Sequence, residues 1–215
     1  MDEILENLRA AILEYDNIKA ESWARKAVEE GIDPVKAVDV LTEAIRQVGN
    51  GFGKGELWLP DLIGAASAMV TAMPILEEQI KKAGKTRESL GRVVIGTVLG
   101  DIHNIGKDMV AILLVANGFE VVDLGVDISA EQFVVAIKEH NPSILAMSAL
   151  MTMTAPEQGK VINILKKDGL RDKIRIMVGG GAITQEFADK IGADGYAVAA
   201  TGAADLAKRL IGGGG

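Results

Sequence analysis

The chain has 215 residues, of which 48% are hydrophobic, 25% are charged and only 4% are aromatic, the composition of a globular protein with a real core. Its formal net charge of −7 argues against nucleic acid as a partner, because binding phosphates requires clusters of Lys and Arg. The absence of Cys excludes disulfides, thiolate metal sites and iron–sulfur clusters, so a metal would need other side chains or a cofactor to hold it.

The amino-terminal residues are acidic and amphipathic, which does not match a secretory signal. No apolar run reaches the roughly 20 residues that a membrane span needs. We therefore expect a cytoplasmic protein that does not contact a membrane.

Residues 1–83 show apolar side chains at three- and four-residue spacing, which predicts helices throughout. Asp16 can cap a second helix, and Asp33 followed by Pro34 is typical of the start of a third. A fourth helix begins near Pro60. Four helices with short connections predict a four-helix bundle.

The polar, glycine-bounded residues 84–91 are predicted to be a linker, and after them the pattern changes. Short β-rich runs alternate with helical spacing over residues 92–215. This alternation predicts a five-stranded parallel sheet with helices on both faces, an α/β domain of the flavodoxin-like (Rossmann-type) class. The strand candidates are residues 92–98, 119–125, 143–149, 174–180 and 195–199.

In such a sheet, ligands bind at the carboxyl ends of the strands, near the point where strand order reverses. Polar and glycine residues follow three of the predicted strands, namely Asp101, His103, Ser148, Thr152, Thr154 and Gly179 to Gly181. A phosphate-binding loop is excluded because Gly100 and Gly106 enclose five residues rather than four, and the dinucleotide pattern G-x-G-x-x-G is absent.

His103 is one of only two histidines in the chain. Neutral imidazole binds late first-row metals, and a metal-bound histidine usually donates its other N–H to a carboxylate, which Asp101 can supply. One histidine is too few for a bare metal site. A macrocycle with four equatorial nitrogens and an open axial position would complete the ligand set.

Each of these residues also has a purely structural explanation. His103 could be a loop histidine that bonds only to the backbone, and Asp101 could simply cap the following helix. Ser148 could be a small core residue, and the glycines could form a tight turn.

The segment GDIHNIGK, residues 100–107, resembles the D-x-H-x-x-G motif of cobalamin-binding domains that hold their cofactor base-off and His-on. Residues 148–150 are similar to the S-x-L motif of that family, and Gly179 with Gly180 to its paired glycine. Residues 51–69 resemble the last helices of the bundle that covers the corrin in methionine synthase. The two-domain form is similar to the free-standing corrinoid proteins of anaerobic methyl transfer.

This resemblance implies roles for individual residues. His103 would be the lower ligand of cobalt, Asp101 would bond its far nitrogen, and Thr154 would complete the relay. Trp58 would lie over the upper face of the corrin. The remaining implied cofactor contacts are Gly100, Ile102, Asn104, Ile105, Gly106, Ser148, Leu150, Thr152, Gly179 and Gly180.

The implied function is to carry a methyl group on cobalt, alternating between cob(I)alamin and methylcobalamin. The donor side would be a substrate-specific methyltransferase for a methylamine, a betaine, methanol or a methoxyarene. The acceptor side would be a second methyltransferase that uses tetrahydrofolate or a thiol, and a reductive activase would restore the cofactor. Whether the chain is an enzyme in its own right and whether it forms a homodimer are left open.

Three alternatives remain at this stage. A small subunit of a B12-dependent mutase shares the motif but lacks a helical cap, and a cobalamin-binding sensory or regulatory module usually carries a DNA-binding segment. A cofactor-free interaction domain would require all three motifs to coincide by accident.

Overall fold

The computed structural model describes residues 2–84 and 89–212, which divide into two units between residues 88 and 89. Residues 85–88 of the predicted linker lie outside the described residues, so the linker at 84–91 stays a prediction. Each unit is described by itself below.

The amino-terminal unit contains the predicted helices, and the two capping aspartates lie at their starts. Asp16 accepts a hydrogen bond from the Lys19 amide at 2.9 Å, and Asp33 accepts one from the Val35 amide at 3.0 Å. These bonds satisfy amides that have no partner within the helix. The helices are α1 (Asp2–Leu13), α2 (Asn17–Glu29), α3 (Pro34–Gly53) and α4 (Leu59–Lys82).

Helix α4 is more apolar than the sequence analysis indicated. Among the described residues it is the single helix that is long and apolar enough to cross a membrane, with 24 residues and a window of mean hydropathy 1.5. The search of the sequence for an unbroken apolar run missed it, because Gly, Ser and Thr interrupt the apolar residues. The same composition suits the core helix of a bundle, and α4 buries Leu62, Met69 and Leu76 at helical spacing.

The carboxyl-terminal unit alternates strands and helices as predicted. Its elements are β1 (Arg92–Thr97), α5 (Ile105–Ala116), β2 (Glu120–Asp123), α6 (Ala130–His140), β3 (Ile144–Ser148), α7 (Ala155–Lys167), a short 3₁₀ helix (Arg171–Lys173), β4 (Arg175–Gly179), α8 (Gln185–Ile191), β5 (Gly195–Tyr196) and α9 (Ala200–Gly212). The strands are parallel and lie in the order β2-β1-β3-β4-β5. The five-stranded parallel α/β fold is therefore confirmed.

Helices cover both faces of this sheet. One core, which includes the fully buried Phe133 and Ile162, packs α6, α7 and α8 against the sheet, and the other packs α5 and α9 through Leu114 and Ala203. Strand order reverses between β1 and β3, so the loops that follow these two strands flank the crevice where ligands bind in folds of this kind. The edge where the strands end is called the carboxyl edge below, and the opposite edge is called the amino edge.

Candidate cofactor site

The loop between β1 and α5 carries a hydrogen-bonded pair, Asp101 and His103, at the carboxyl edge. His103 Nδ1 lies 2.7 Å from Asp101 Oδ1, and the same oxygen accepts the His103 backbone N–H at 3.1 Å. The Asp101 side chain is fully buried, whereas 47% of the His103 side chain is exposed. The carboxylate thus holds a proton on Nδ1 and leaves the lone pair of Nε2 available to a ligand-seeking metal.

The second oxygen of Asp101 joins this loop to the segment that follows β3. Asp101 Oδ2 accepts the Thr154 hydroxyl at 2.6 Å, the Leu150 amide at 2.8 Å and the Met151 amide at 3.3 Å. Burial alone raises the pKa of the Asp101 carboxyl, but the hydrogen bonds that it accepts outweigh burial and hold the pKa well below its usual value. Asp101 is therefore an anion at neutral pH and keeps its hydrogen bond to the imidazole.

A cavity of about 690 Å³ opens beside His103 and runs between the sheet and the helices α5 and α9. Its inner wall is apolar and includes Ile95, Val110, Ala146, Met177 and Ala203. These positions belong to one face of the sheet and the two helices that cover it, where small side chains leave space. Such a slot accepts a flat, largely apolar group.

Some of the apolar side chains that line this cavity are also exposed to solvent. They are Ile102, Ile105, Leu150 and Val198, which follow β1, β3 and β5. Exposed apolar patches of this kind mark surfaces that another molecule covers. An apolar surface whose loops carry one open imidazole nitrogen fits a large planar metal complex better than a hydrated ion.

The described residues contain no group of three or more His, Asp or Glu side chains that could hold a metal. A metal bound at His103 must therefore bring its other ligands with it. The open Nε2 of His103, the exposed apolar side chains and the cavity together fit a corrinoid, whose macrocycle supplies four nitrogens.

Most of the residues predicted from the sequence meet at this edge. Asp101, His103 and Thr154 are joined by hydrogen bonds. The predicted residues that line the cavity are Ile102, His103, Asn104, Ile105, Gly106, Ser148, Leu150, Gly179 and Gly180.

Three predicted residues are not among those that line the cavity. Gly100 does not line the cavity, and its N–H instead bonds Asp127 at 2.7 Å. Thr152 is exposed and is not part of the lining. Trp58 belongs to the amino-terminal unit, where 75% of it is exposed, and its contact with a cofactor stays a prediction.

The absence of a side chain has a different consequence at Gly180 than at Gly106. A Cβ at Gly180 would lie 2.0 Å from the Ala149 carbonyl oxygen, and the φ of Gly180 is +118°, so the fold itself requires glycine there. A Cβ at Gly106 would meet no heavy atom within 4 Å, which leaves open space along the start of α5. Gly106, rather than Gly180, keeps room for a ligand.

Sequence patterns missed the cavity wall and Lys107. The wall residues are ordinary core types, and only the strand register shows that Ala146 lies between Ile95 and Met177 and leaves a gap. Lys107 follows the motif glycine, yet its side chain is 2% exposed and pairs with Asp108 and Asp123. The sequence did not predict this burial, because nothing in it distinguishes Lys107 from an exposed lysine in the first turn of a helix.

Comparison with known proteins agrees with this geometry. Residues 91–206 match the B12 binding domain family, and residues 4–77 match a second B12 binding domain family. The chain is 43% identical over 211 residues to the trimethylamine corrinoid protein of Methanosarcina barkeri, covering 98% of this chain and 97% of that protein. It is 42% identical over 211 residues to a corrinoid protein of Desulfitobacterium hafniense, covering 97% and 98% of the two chains.

A solved structure is similar over almost the whole chain. It is the methanol:cobalamin methyltransferase complex MtaBC of Methanosarcina barkeri, with a TM-score of 0.87 and 33% identity. The match covers 99% of this chain and 81% of the matched chain.

Proposed function

The chain belongs to the B12-binding corrinoid proteins of methyltransferase systems, and from this premise we propose that it carries a methyl group on cobalt between two partner enzymes. Its cofactor is cobalamin. The observation that carries the proposal is the Asp101–His103 pair, which leaves one imidazole nitrogen open beside an apolar cavity.

When bound, cobalamin supplies a cobalt ion that can accept a methyl group from one partner and donate it to another. In this proposal His103 Nε2 would hold the cobalt in place of the cofactor's own base. Asp101 fixes the orientation of the imidazole through its hydrogen bond to Nδ1. Ser148 and Gly179, which line the cavity, would hold the nucleotide tail of the cofactor.

The hydrogen bonds of Asp101 would keep His103 in place for the cofactor. Asp101 binds Nδ1 and so leaves Nε2 open, and Thr154 donates a hydrogen bond from its hydroxyl to the other oxygen of Asp101 and keeps that carboxylate in place. These side chains would therefore fix the position of Nε2 whether or not it binds cobalt.

The proposed donor is a small methylated amine, delivered by its own methyltransferase. Two relatives named for trimethylamine are 43% and 45% identical to this chain, and two named for dimethylamine are each 40% identical. These similarities support an amine as the donor. A second methyltransferase that uses tetrahydrofolate or a thiol, and a reductive activase, complete the proposed cytoplasmic system.

The experiment is a reconstituted methyl transfer. The purified chain is loaded with cobalamin, reduced, and mixed with trimethylamine and a trimethylamine-specific methyltransferase, and methylation of cobalt is followed by its absorption spectrum. We expect methylation that depends on both additions, and little with methanol and its methyltransferase. Failure to retain cobalamin on gel filtration would overturn the proposed function, and methylation only from methanol would overturn the choice of donor.

A further inference from the structure

Two neighbouring segments hold the loop that carries Asp101 and His103. Only the contact with one of them is made by a side chain of the motif. On the inner side, the Asp101 carboxylate bonds the segment after β3. On the outer side, the chain between β2 and α6 lies against the start of the same loop. Asp127 is the residue of that segment which contacts it directly.

Asp127 makes a reciprocal pair of bonds with the loop. Its carboxylate Oδ1 accepts the Gly100 N–H at 2.7 Å, and its own N–H donates to the Asp101 carbonyl at 3.1 Å. Two bonds in opposite directions fix both the position and the orientation of the backbone that carries the Asp101 side chain. The motif residues alone do not provide this contact.

The backbone around Asp127 is built for this contact. The Thr97 N–H donates to the Gly125 carbonyl at 3.0 Å and the Ile128 N–H donates to the Thr97 carbonyl at 3.0 Å, so pairing between the two chain segments continues past the end of β2. Asp127 has φ of 58°, in the left-handed region that residues other than glycine rarely adopt. Aspartate adopts this region more readily than most residues, and here the conformation accompanies the contact between the Asp127 carboxylate and Gly100.

We infer that Asp127 is a positioning residue for the cobalt ligand: it clamps Gly100 and Asp101 so that His103 Nε2 stays in place when it is not bonded to cobalt. The inference rests on the proposed binding of cobalamin through His103. A clamp of this kind matters most for a ligand that is released and recaptured, since each recapture would otherwise require the loop to be ordered again.

Three substitutions in the 215-residue chain separate the side-chain bond from the backbone conformation. Asp127→Asn keeps an acceptor oxygen and tolerates the left-handed conformation, so it should behave like wild type. Asp127→Gly keeps the conformation but loses the acceptor. The matched control is Asn141→Gly, which changes another left-handed residue, with φ of 44°, at the end of α6 on the amino edge.

Two measurements are made on each variant. Amide hydrogen exchange of Gly100 in the cofactor-free protein should accelerate about three- to tenfold in Asp127→Gly, the change expected from the loss of one hydrogen bond. In the cobalamin-loaded, reduced-to-cob(II) protein, the same variant should show weaker cobalamin binding by a similar factor and a smaller fraction of cobalt with a protein nitrogen ligand. Asp127→Asn should restore both, and Asn141→Gly should change neither.

The outcomes separate this inference from the proposed function. If Asp127→Gly showed the same Gly100 exchange, cobalamin affinity and nitrogen ligation as wild type, the role of Asp127 would be overturned. The proposed function would stand as long as His103 remained a cobalt ligand in the wild-type chain. Equal losses in Asp127→Gly and Asn141→Gly would also overturn it, because they would reflect general destabilisation. Absence of a protein nitrogen ligand in the wild-type chain would overturn the proposed function and this role together.

Discussion

The ion pairs at the amino edge of the sheet differ from the Asp101–His103 pair at its carboxyl edge. At the amino edge, Arg171 pairs with Asp194 at 3.0 Å and Arg92 pairs with Glu120 at 2.9 Å, so charges satisfy one another. At the carboxyl edge, Asp101 is buried and accepts donors on both oxygens, but its partner leaves one nitrogen open.

This difference separates stability from binding. In the two ion pairs at the amino edge each charge already has a partner, so we expect them to contribute to stability rather than to binding. The hydrogen bonds of Asp101 at the carboxyl edge leave His103 Nε2 as an unpaired acceptor beside an apolar surface. A ligand can bind this acceptor and cover the surface. Changes at the two edges should therefore have different signatures in stability and in cobalamin affinity.

The largest effect should come from removing the open imidazole. We expect His103→Ala to lose more cobalamin affinity than the roughly 10–100-fold that loss of a supporting partner costs a metal site. The unfolding free energy should also fall by about 1 kcal/mol, because the buried Asp101 carboxylate loses one of its hydrogen bonds. His140→Ala, at the end of α6 on the amino edge, is the control in the same titration and should bind like wild type.

A matched pair of aspartates tests the comparison directly. Asp101→Asn should weaken cobalamin binding about 10–100-fold, because Nδ1 loses its anionic acceptor. It should also lower the unfolding free energy by about 1–3 kcal/mol, since several buried donors lose good partners. Asp194→Asn should show a loss of stability alone. Equal losses of affinity in the two variants would contradict the division between the edges.

Acid should expose the stability contributed by Asp101. Its pKa is lower in the folded chain than its usual 3.8, so the unfolded chain binds the proton more readily. The contribution is thus fully present above about pH 4 and lost as the pH falls below that value. Urea unfolding of the cofactor-free protein from pH 6 downward should show this loss, and Asp101→Asn should show a shallower one.

Removing one hydroxyl should give a smaller effect. Thr154→Val keeps the shape of the side chain but deletes the donor 2.6 Å from Asp101 Oδ2. We expect a loss of about 1 kcal/mol in unfolding free energy and several-fold weaker cobalamin binding. Thr154→Ser should restore both values. A serine variant that fails to rescue would show that the methyl group, not the hydroxyl, matters.

The smallest effect should come from Gly106→Ala. The added methyl enters open space within the cavity lining, so cobalamin affinity should fall a few-fold. Helix stability should be unchanged or rise by up to about 1 kcal/mol, because alanine is the better helix former. Gly202→Ala in α9, also with no neighbour within 4 Å, is the control and should leave affinity unchanged.

Local patterns in the sequence predicted the features that depend on local chemistry. The strands, the helices and the caps Asp16 and Asp33 follow from periodicity and from backbone donors that need partners. The spacing of Asp101 and His103 was enough to predict their contact, because two residues in one loop can form it without knowledge of the rest of the chain.

Features that depend on distant segments could not be predicted in this way. Asp127 meets Gly100 only because of how the segment after β2 continues along β1, and its left-handed backbone leaves no mark in the sequence. Gly180 is required by the Ala149 carbonyl rather than by a ligand, which only the register of β3 and β4 reveals.

The central claim is that a protein nitrogen, His103 Nε2, is the lower ligand of cobalt. The most direct test loads the ¹⁵N-labelled chain with unlabelled cobalamin and records the electron paramagnetic resonance spectrum of the cob(II) form. A doublet superhyperfine splitting that disappears in His103→Ala is the predicted result. A triplet would contradict the claim, because it would mean that cobalt kept the nitrogen of the cofactor's own base.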